Sequence, residues 1–180
     1  LAKGHVLDVG CGAGSHSLYL KNVHNRRVQP IDISPAAVQA CKLRGLDNAL
    51  VADILTFEGD TYDTIILLMN GTGIFGQLEN VSRYLTKLKT LLNPGGQILI
   101  DSSDLIYMFD EDEDGGMWIP AEGYYGEITF TVTYKGETEE PFDWLYLDYN
   151  TLQNAAHANE MQCELVTEGE NYDYLAKLSL

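Results

Sequence analysis

The chain alternates short, almost continuously apolar runs with longer segments in which apolar residues recur at helical spacing. Runs without polar alternation are typical of strands in a parallel sheet that is covered on both faces. The runs lie at residues 5–9, 27–31, 49–53, 62–69 and 97–101, and the helices are predicted at about 15–22, 35–44 and 77–92. Because strands that alternate with helices form right-handed crossovers, this pattern predicts a doubly wound sheet.

The pattern changes after residue 103. Residues 127–134 alternate strictly between apolar and polar side chains, which predicts a half-buried antiparallel strand. A turn at 135–141 and a partner strand at 142–149 follow, and then a helix near 151–160 and strands at about 161–167 and 172–179. In the strand at 127–134, we expect the apolar side to be buried. It consists of Ile128, Phe130, Val132 and Tyr134.

Together these elements predict one domain over residues 1–180. Its fold class is α/β: a doubly wound, mostly parallel seven-stranded sheet with a C-terminal antiparallel strand. A β-hairpin is inserted after the fifth strand, within an insert at about 104–149. Since the chain starts at Leu1, four residues before the first strand, we also expect that an N-terminal segment precedes it in the complete protein.

The net charge of the chain restricts the classes of partner that it can bind. Eleven Lys and Arg residues stand against 27 Asp and Glu residues, which gives a net charge of −16. Such a surface repels phosphate backbones and anionic lipid, so we expect neither nucleic acid nor a membrane as a partner. The oligomeric state does not follow from the sequence.

The three cysteines, Cys11, Cys41 and Cys163, are widely spaced. They form neither a metal-ligand pattern nor a disulfide framework, so we expect no metal site and a reducing, cytoplasmic location.

The stretch "HVLDVGCGAGSHSLYL", residues 5–20, carries the first chemical signal. Gly10, Gly12 and Gly14 lie between the first strand and the first helix. Glycine allows a ligand to approach the backbone closely, and a helix N-terminus presents unpaired N–H groups with a partial positive charge. The loop is therefore suited to a ligand with an anionic group such as a carboxylate or phosphate.

Aspartates end three successive strands of the predicted sheet. Asp8 comes just before the glycine loop, Asp32 closes the second strand, and Asp53 closes the third. The carboxyl ends of parallel strands form the ligand-binding edge of an open sheet. Asp8 would disfavour a pyrophosphate but would favour an ammonium group. Asp32 can accept hydrogen bonds from two ribose hydroxyls and Asp53 from an adenine amino group, with a turn-capping role for Asp53 as the alternative.

The chain resembles the class I S-adenosylmethionine-dependent methyltransferases. The segments that carry the resemblance are "VLDVGCGAGSHSLYL", "PIDISPAAV", "VADI", "YDTIILLMNGTG" and "LLNPGGQILIDSS", in the family's order across residues 3–103, together with the final "YDYLAKLSL". The resemblance implies S-adenosylmethionine as cofactor. The residues it places around that cofactor are Asp8, Gly10, Cys11, Gly12, Gly14, Asp32, Ile33, Asp53, Ile54, Asn70 and Gly71.

The acceptor side is less defined by the sequence. Family members that methylate nucleic-acid amines carry an Asn- or Asp-Pro-Pro-aromatic motif after the fourth strand. This chain has "MNGTGIFGQ" at that place, which favours a small-molecule acceptor. Asp104 and Tyr107, just after the fifth strand, are the candidates for a base or an acceptor-orienting residue. Met108, Trp118 and Trp144 are further candidates for the acceptor pocket.

The leading interpretation is thus transfer of a methyl group from S-adenosylmethionine to a small molecule. Two alternatives remain open at the level of sequence. One is a nicotinamide-dependent oxidoreductase, against which the G-x-G-x-G spacing and Asp8 both argue. The other is a protein that binds S-adenosylmethionine without catalysing a reaction, since no general base can be assigned from the sequence.

Overall fold

A computed structural model of the chain describes residues 1–109, 116–117, 119 and 123–180. In the first half, strands and helices alternate as predicted. The strands are β1 (His5–Val9), β2 (Arg27–Asp32), β3 (Leu50–Val51), β4 (Tyr62–Leu67) and β5 (Leu92–Ser103), and the helices are α1 (Ser15–Asn22), α2 (Pro35–Leu43) and α3 (Val81–Thr90). Short 3₁₀ helices occupy Gly71–Phe75, Leu78–Asn80 and Leu105–Met108.

The second half consists mainly of strands. They are β6 (Glu127–Phe130), β7 (Thr133–Tyr134), β8 (Glu137–Thr138), β9 (Phe142–Leu145), β10 (Gln162–Glu168) and β11 (Asp173–Ser179). One helix, α4 (Tyr149–Ala158), lies between β9 and β10. No helix among the described residues is both long enough and apolar enough to cross a bilayer.

The main sheet has seven strands in the order β10-β11-β5-β4-β1-β2-β3. The five strands of the first half are parallel, and β11 runs antiparallel to both β5 and β10. The predicted fold class is therefore confirmed. Strand β1 lies between β4 and β2. The chain adds β2 and β3 on one side of β1 and then β4 and β5 on the other, so the direction of strand addition reverses at β1, next to the glycine loop.

Helices cover the sheet on both faces. Leu7 and Ile65 face the larger part of the core, where α3 and α4 contribute Leu85 and Leu152. Val6, on the other face, packs with residues that include Leu20 of α1. This alternation along β1 places Asp8 on the same face as Val6, beneath α1. The start of α2 also follows the prediction: the hydroxyl of Ser34 accepts from Ala37 N at 3.3 Å, and Pro35 occupies the first turn.

Several element boundaries differ from the sequence prediction. Strand β4 ends at Leu67 rather than at residue 69, because Met69 and Asn70 adopt positive φ angles of 70° and 62°. Strand β5 begins at Leu92, five residues early, and the irregular pairing between β4 and β5 accommodates this Pro-Gly-Gly segment. Helix α3 begins at Val81 rather than at residue 77, since residues 78–80 form a separate 3₁₀ turn.

The insert forms two small ladders rather than one continuous hairpin. β6 pairs with β9, and β7 pairs with β8 around a tight turn in which Lys135 and Gly136 both have positive φ angles. The prediction of a half-buried strand over 127–134 is wrong for its outer part. Phe130, Val132 and Tyr134 are exposed, because no element among the described residues covers this end of the insert. The acidic run 110–114 and Trp118 lie outside the described residues.

A tryptophan of the insert packs closely on a glycine of the 3₁₀ helix that follows β4. A Cβ atom at Gly73 would overlap the indole ring of Trp144 in β9. We therefore expect Gly73→Ala to lower the free energy of unfolding by about 1–3 kcal/mol, the usual cost of overpacking. Chemical denaturation measures this loss. Combining Gly73→Ala with Trp144→Ala should cost less than the sum of the two single changes, and strict additivity would contradict the contact.

Candidate functional site

The carboxyl ends of the parallel strands bring the predicted site residues to one edge of the sheet. The glycine loop begins directly after β1, and Asp32 is the last residue of β2. The two are joined by hydrogen bonds: Gly10 N and Cys11 N both donate to Ile31 O at 3.0 Å. Gly12 N donates to Asp32 Oδ2 at 2.8 Å. The loop is thus anchored to the end of β2.

The glycines of this loop have the backbone conformation that their residue type permits. Gly10, Gly12 and Gly14 have φ angles of 70°, 53° and 80°. A Cβ atom at Gly14, the N-cap of α1, would overlap Leu46. A Cβ atom at Gly12 would meet no protein atom within 4 Å. Gly12 therefore borders open space at the sheet edge, whereas Gly14 is required for packing.

Asp8 lies beneath the loop and is buried, with 2% of its surface exposed. Ser17 of α1 donates a hydrogen bond from its hydroxyl to Asp8 Oδ2 at 2.6 Å. Burial raises the pKa of Asp8, an effect that the Ser17 hydrogen bond partly offsets. The negative charge of Asp8 is therefore costly without a nearby positive group.

Asp32 connects the glycine loop to the start of α2. Its Oδ1 accepts from Ser34 N at 2.8 Å, while its Oδ2 accepts from Gly12 N. Each carboxylate oxygen has a further lone pair for a ligand hydroxyl. The next residue, Ile33, is 74% exposed, so an apolar side chain faces solvent directly beside this carboxylate.

The residues after β3 are divided between the surface and the core. Asp53 is exposed, and its Oδ1 accepts from Leu55 N at 2.9 Å, which is the turn-capping role expected as an alternative. Its other carboxylate oxygen remains available to a ligand. Ile54 is 3% exposed and belongs to the core, so its side chain supports this region from beneath rather than lining open space.

Cys11 is a packing residue of the loop. It is buried against α2, with its Sγ 3.7 Å from the Sγ of Cys41, and the Cys41 thiol donates to Gly12 O at 3.1 Å. Burial, together with the charge of Asp8, raises the pKa of the Cys11 thiol. A thiol held in this protonated form is a poor nucleophile.

The loop after β4 carries Asn70 and Gly71 toward the same edge. The carboxylate of Asp101, in β5, accepts from Gly71 N at 2.8 Å and from Met69 N at 3.0 Å. The Asn70 side chain is engaged by the protein: Oδ1 accepts from Ser102 Oγ at 3.0 Å, and Nδ2 donates to Leu145 O at 3.3 Å. Asp101 and Ser102 lie in the segment "LLNPGGQILIDSS", but no local pattern there distinguishes them as site residues.

The two candidates on the acceptor side differ in their surroundings. Asp104 caps the 3₁₀ turn that follows β5, and its Oδ1 accepts from Ile106 N at 2.9 Å and from Tyr125 OH at 2.7 Å. Tyr107 is 51% exposed and stacks on Tyr172, with the ring centroids 5.2 Å apart. Tyr125 was not found from sequence because it lies in an irregular part of the insert. Burial and the hydrogen bond to Asp104 raise the pKa of Tyr125.

Two cavities lie beside the ends of β5 and β11. One, of about 440 Å³, is lined by Asp104, Asp148, Tyr149, Asn150, Glu168, Gly169, Glu170, Tyr172, Asp173 and Tyr174. The other, of about 300 Å³, includes Asn70, Asp101 and Ser102 in its lining. Neither lining contains a lysine or an arginine. Asn70 therefore borders the second cavity, while Tyr107 lines neither cavity.

Comparison with known proteins identifies similar chains. A family model described as "Methyltransferase domain" matches residues 7–100, just over half of the chain. The chain is 47% identical to an S-adenosylmethionine-dependent methyltransferase from Bacteroides fragilis, solved in complex with S-adenosyl-L-homocysteine. That match has a TM-score of 0.91 and covers 100% of this chain and 73% of the other.

More distant matches are also informative. Ribosomal RNA small subunit methyltransferase C of Pseudomonas fluorescens is 31% identical over 134 residues, which is 68% of this chain and 40% of that protein. The chain thus spans well under half the length of this curated relative. DesVI of Streptomyces venezuelae has a TM-score of 0.68 at 16% identity, over 97% of this chain and 83% of that one, and supports the fold alone.

Proposed function

The chain belongs to the methyltransferase domain family, and on that premise we propose that it transfers a methyl group from S-adenosylmethionine to a small-molecule acceptor. The main support is the edge of the sheet at which the glycine loop, Asp8 and Asp32 meet, with Gly12 facing open space. The Bacteroides fragilis relative, solved with S-adenosyl-L-homocysteine, supports the same cofactor.

The charges at this edge suit a ligand with an ammonium group. Among the described residues, the ion pairs are Arg27–Asp60, Lys89–Glu160 and Lys177–Glu164. Asp8, Asp32 and Asp53 take part in none of these pairs. Carboxylates outside these ion pairs, beside a loop open to solvent, match the positive amino-acid end and the ribose hydroxyls of S-adenosylmethionine.

Each residue of this edge has a proposed role in holding the cofactor. Asp8 and the glycine loop hold the methionine part, Asp32 accepts from the ribose hydroxyls, and the exposed Ile33 packs on the adenine. When bound, S-adenosylmethionine supplies a methyl group on a positively charged sulfur. The protein's task is then to align the acceptor and exclude water, so a dedicated base is needed only for a protonated acceptor.

The acceptor side is proposed to lie along the cavities beside β5, with Asp104 and Tyr107 as orienting candidates. Carboxylates and tyrosines without a basic residue favour a neutral or cationic compound. The Pseudomonas relative is named for ribosomal RNA, which makes RNA the competing acceptor. The net charge of −16 and the "MNGTGIFGQ" stretch, which lacks the Pro-Pro-aromatic motif, favour a small molecule.

We also propose that the protein is located in the cytoplasm. Cys11, Cys41 and Cys163 are all free thiols, although Cys11 and Cys41 approach within 3.7 Å of each other. Free thiols at this spacing favour a reducing compartment.

Binding and transfer can be tested separately. We expect calorimetry to show binding of S-adenosylmethionine and S-adenosylhomocysteine, and methyl-labelled cofactor to label a fraction of a metabolite extract. Tight binding of NAD without S-adenosylmethionine would overturn the proposal. Label incorporated into small-subunit ribosomal RNA instead would refute the small-molecule acceptor. Binding of cofactor with no labelled product from either source would favour the non-catalytic alternative.

A further inference from the structure

The cavity of about 440 Å³ beside β5 and β11 offers aromatic rings and hydrogen-bond acceptors to a ligand. No lysine or arginine of the described chain lines it. Two of its tyrosines give their hydroxyl hydrogens to backbone carbonyls. Tyr149 OH donates to Cys163 O at 3.3 Å. Tyr174 OH donates to Leu147 O at 3.0 Å. Because carboxylates and aromatic rings both attract cations, this lining suits a ligand with N–H donors and positive charge better than an anion.

The carboxylates of this lining differ in how they are held. Asp148 is the N-cap of α4 and uses both of its oxygens: Oδ1 accepts from Thr151 N at 2.9 Å, and Oδ2 accepts from Tyr124 OH at 2.7 Å. Asp104, at the end of β5, is half-buried. The remaining carboxylates are exposed at the turn between β10 and β11, and they are Glu168, Glu170 and Asp173. Asp104 is therefore the carboxylate of the cavity that combines partial burial with an oxygen not needed for capping a helix.

Three hydrogen bonds fix Asp104 in place. Its backbone N donates to Tyr172 O at 2.9 Å. Its Oδ1 accepts from Ile106 N at 2.9 Å and from Tyr125 OH at 2.7 Å. Within the part of the chain that the structure describes, no donor contacts its Oδ2. One carboxylate oxygen is thus held by the protein, and the other is ready to accept a hydrogen bond from a ligand in the cavity.

Tyr125 connects the insert to this carboxylate. Its ring packs against those of Tyr124 and Phe109, with centroid distances of 4.8 Å and 5.8 Å. Burial and the hydrogen bond to Asp104 raise the pKa of Tyr125, so the phenol keeps its hydrogen and remains a donor. Phenylalanine at this position would retain the ring contacts but would leave Ile106 N as the described donor to the Asp104 carboxylate.

The location of Asp104 fits the acceptor of the proposed transfer. Strand β5 is separated from β1, which leads into the glycine loop, by β4 alone. Since neighbouring strands lie about 4.8 Å apart, the ends of β1 and β5 are roughly 10 Å apart. A small molecule held at Asp104 can therefore reach a cofactor bound at the glycine loop.

We propose that the acceptor is a primary or secondary amine, that Asp104 binds its nitrogen through Oδ2, and that Tyr125 is the residue that positions Asp104. This inference rests on the proposed function and specifies its substrate class. An amine has N–H groups to donate to Oδ2, and it acquires positive charge when it is methylated.

The proposed step transfers charge toward Asp104. The lone pair of the neutral amine forms the bond to the methyl carbon while the bond between that carbon and sulfur breaks, and the electron pair of the broken bond stays on sulfur. The positive charge thereby moves from sulfur to nitrogen, where the carboxylate of Asp104 stabilises it. The methylated ammonium product then releases one proton to water.

The chemical nature of the product tests the substrate class. The protein is incubated with a metabolite extract and with S-adenosylmethionine that is isotope-labelled in the methyl group, and NMR identifies the atom to which the labelled carbon is bonded. We expect this atom to be nitrogen. A labelled methyl group on oxygen, sulfur or carbon would overturn the inference while leaving the proposed function intact. Absence of any labelled product would count against the proposed function itself.

Substitutions test the two residues with the extract fraction that supports transfer. At limiting acceptor, we expect Asp104→Asn to lower the transfer rate about tenfold or more, the usual effect of losing a hydrogen bond to a charged group. Tyr125→Phe should lower it about three- to tenfold. The double variant should lose little more than Asp104→Asn alone, because Tyr125 acts through Asp104. Glu139→Gln and Tyr134→Phe, at exposed positions of the insert outside the cavity lining, are the matched controls and should keep the unchanged rate.

Calorimetry with S-adenosylhomocysteine shows whether these losses concern the acceptor. We expect all variants to bind it with the affinity of the unchanged protein. A weakening of that affinity in Asp104→Asn as large as the loss in rate would overturn the inference, and so would an unchanged rate in this variant. Strict additivity of the two substitutions would overturn the positioning role of Tyr125. If Asp104→Asn does not fold, an unchanged rate in Tyr125→Phe or a methyl group on an atom other than nitrogen still contradicts the inference.

Discussion

Replacement of Gly12 by alanine is expected to weaken the binding of S-adenosylhomocysteine by roughly 10- to 100-fold. A Cβ atom at this position meets no protein atom within 4 Å, so the added methyl group points into the space proposed for the cofactor. Overpacking of a close contact costs about 1–3 kcal/mol, and each 1.4 kcal/mol is a factor of ten in affinity. Isothermal titration calorimetry measures the effect directly.

Gly45 provides the matched control for this change. It also has a positive φ angle, of 92°, and a Cβ atom there also meets nothing within 4 Å, but it follows the C-terminal end of α2 and is not among the residues proposed to hold the cofactor. Alanine at either position introduces backbone strain, of about 1 kcal/mol or more. The two variants should therefore both lose some stability, while only Gly12→Ala loses affinity. Comparable affinity losses in both would show that the open space beside Gly12 is not the cofactor site.

The second large effect is expected at Asp8, where ligand binding and stability should respond in opposite directions. Asparagine keeps an oxygen that can accept from Ser17, but it removes the charge proposed to attract the ammonium group. We expect Asp8→Asn to weaken S-adenosylhomocysteine binding by roughly 10- to 100-fold, the range for a lost hydrogen bond between charged groups. Asp47→Asn, at an exposed position without a role in the site, should leave binding unchanged.

The stability of Asp8→Asn should differ from that of the unchanged protein in a pH-dependent way. Burial raises the pKa of Asp8 above its ordinary value of 3.8, so the folded state keeps this proton to a higher pH than the unfolded chain does. The free energy of unfolding then falls as the pH rises from about 3.8 to the higher folded-state pKa. Asparagine does not ionise and escapes this loss.

Denaturation without ligand, at several pH values between 3.5 and neutrality on the order of one unit apart, tests this expectation. The variant should gain stability relative to the unchanged protein as the pH rises through this window. A constant difference across the window would mean that the Asp8 charge is not penalised in the folded state. A difference that shrinks as the pH rises would mean that a neighbouring group such as His16 stabilises the Asp8 charge more than burial penalises it.

The half of the molecule that forms the proposed cofactor edge was predictable because its signals are local. Continuous apolar runs, a serine cap before Pro35 and the glycine loop each depend on a few consecutive residues. The order of the strands then follows from crossover handedness, and it brings Asp8 and Asp32 together. Even here the structure adds information, since Asp53 caps a turn and Ile54 is buried.

The half proposed to bind the acceptor was less predictable because its contacts join residues far apart in sequence. The alternation at 127–134 predicted burial of Phe130 and Tyr134, but burial requires a covering element, which sequence alternation cannot supply. The partnership of Tyr125 with Asp104 and that of Thr72 with Ser102 span 21 and 30 residues. Both depend on how the insert folds back over β5, for which no consecutive residues provide a pattern.

The anchoring of the insert limits how acceptor specificity can diverge among related enzymes. The insert contacts the rest of the chain through its backbone, at Leu145 O and Leu147 N, through the packing of Trp144 on Gly73, and through the side chains of Glu127 and Asp143. Side chains of the insert outside these contacts are therefore expected to vary without disturbing the proposed cofactor edge. A chimaera that exchanges residues 105–143 with those of a relative, but retains Glu127 and Asp143, should keep cofactor affinity while changing the compound that is methylated.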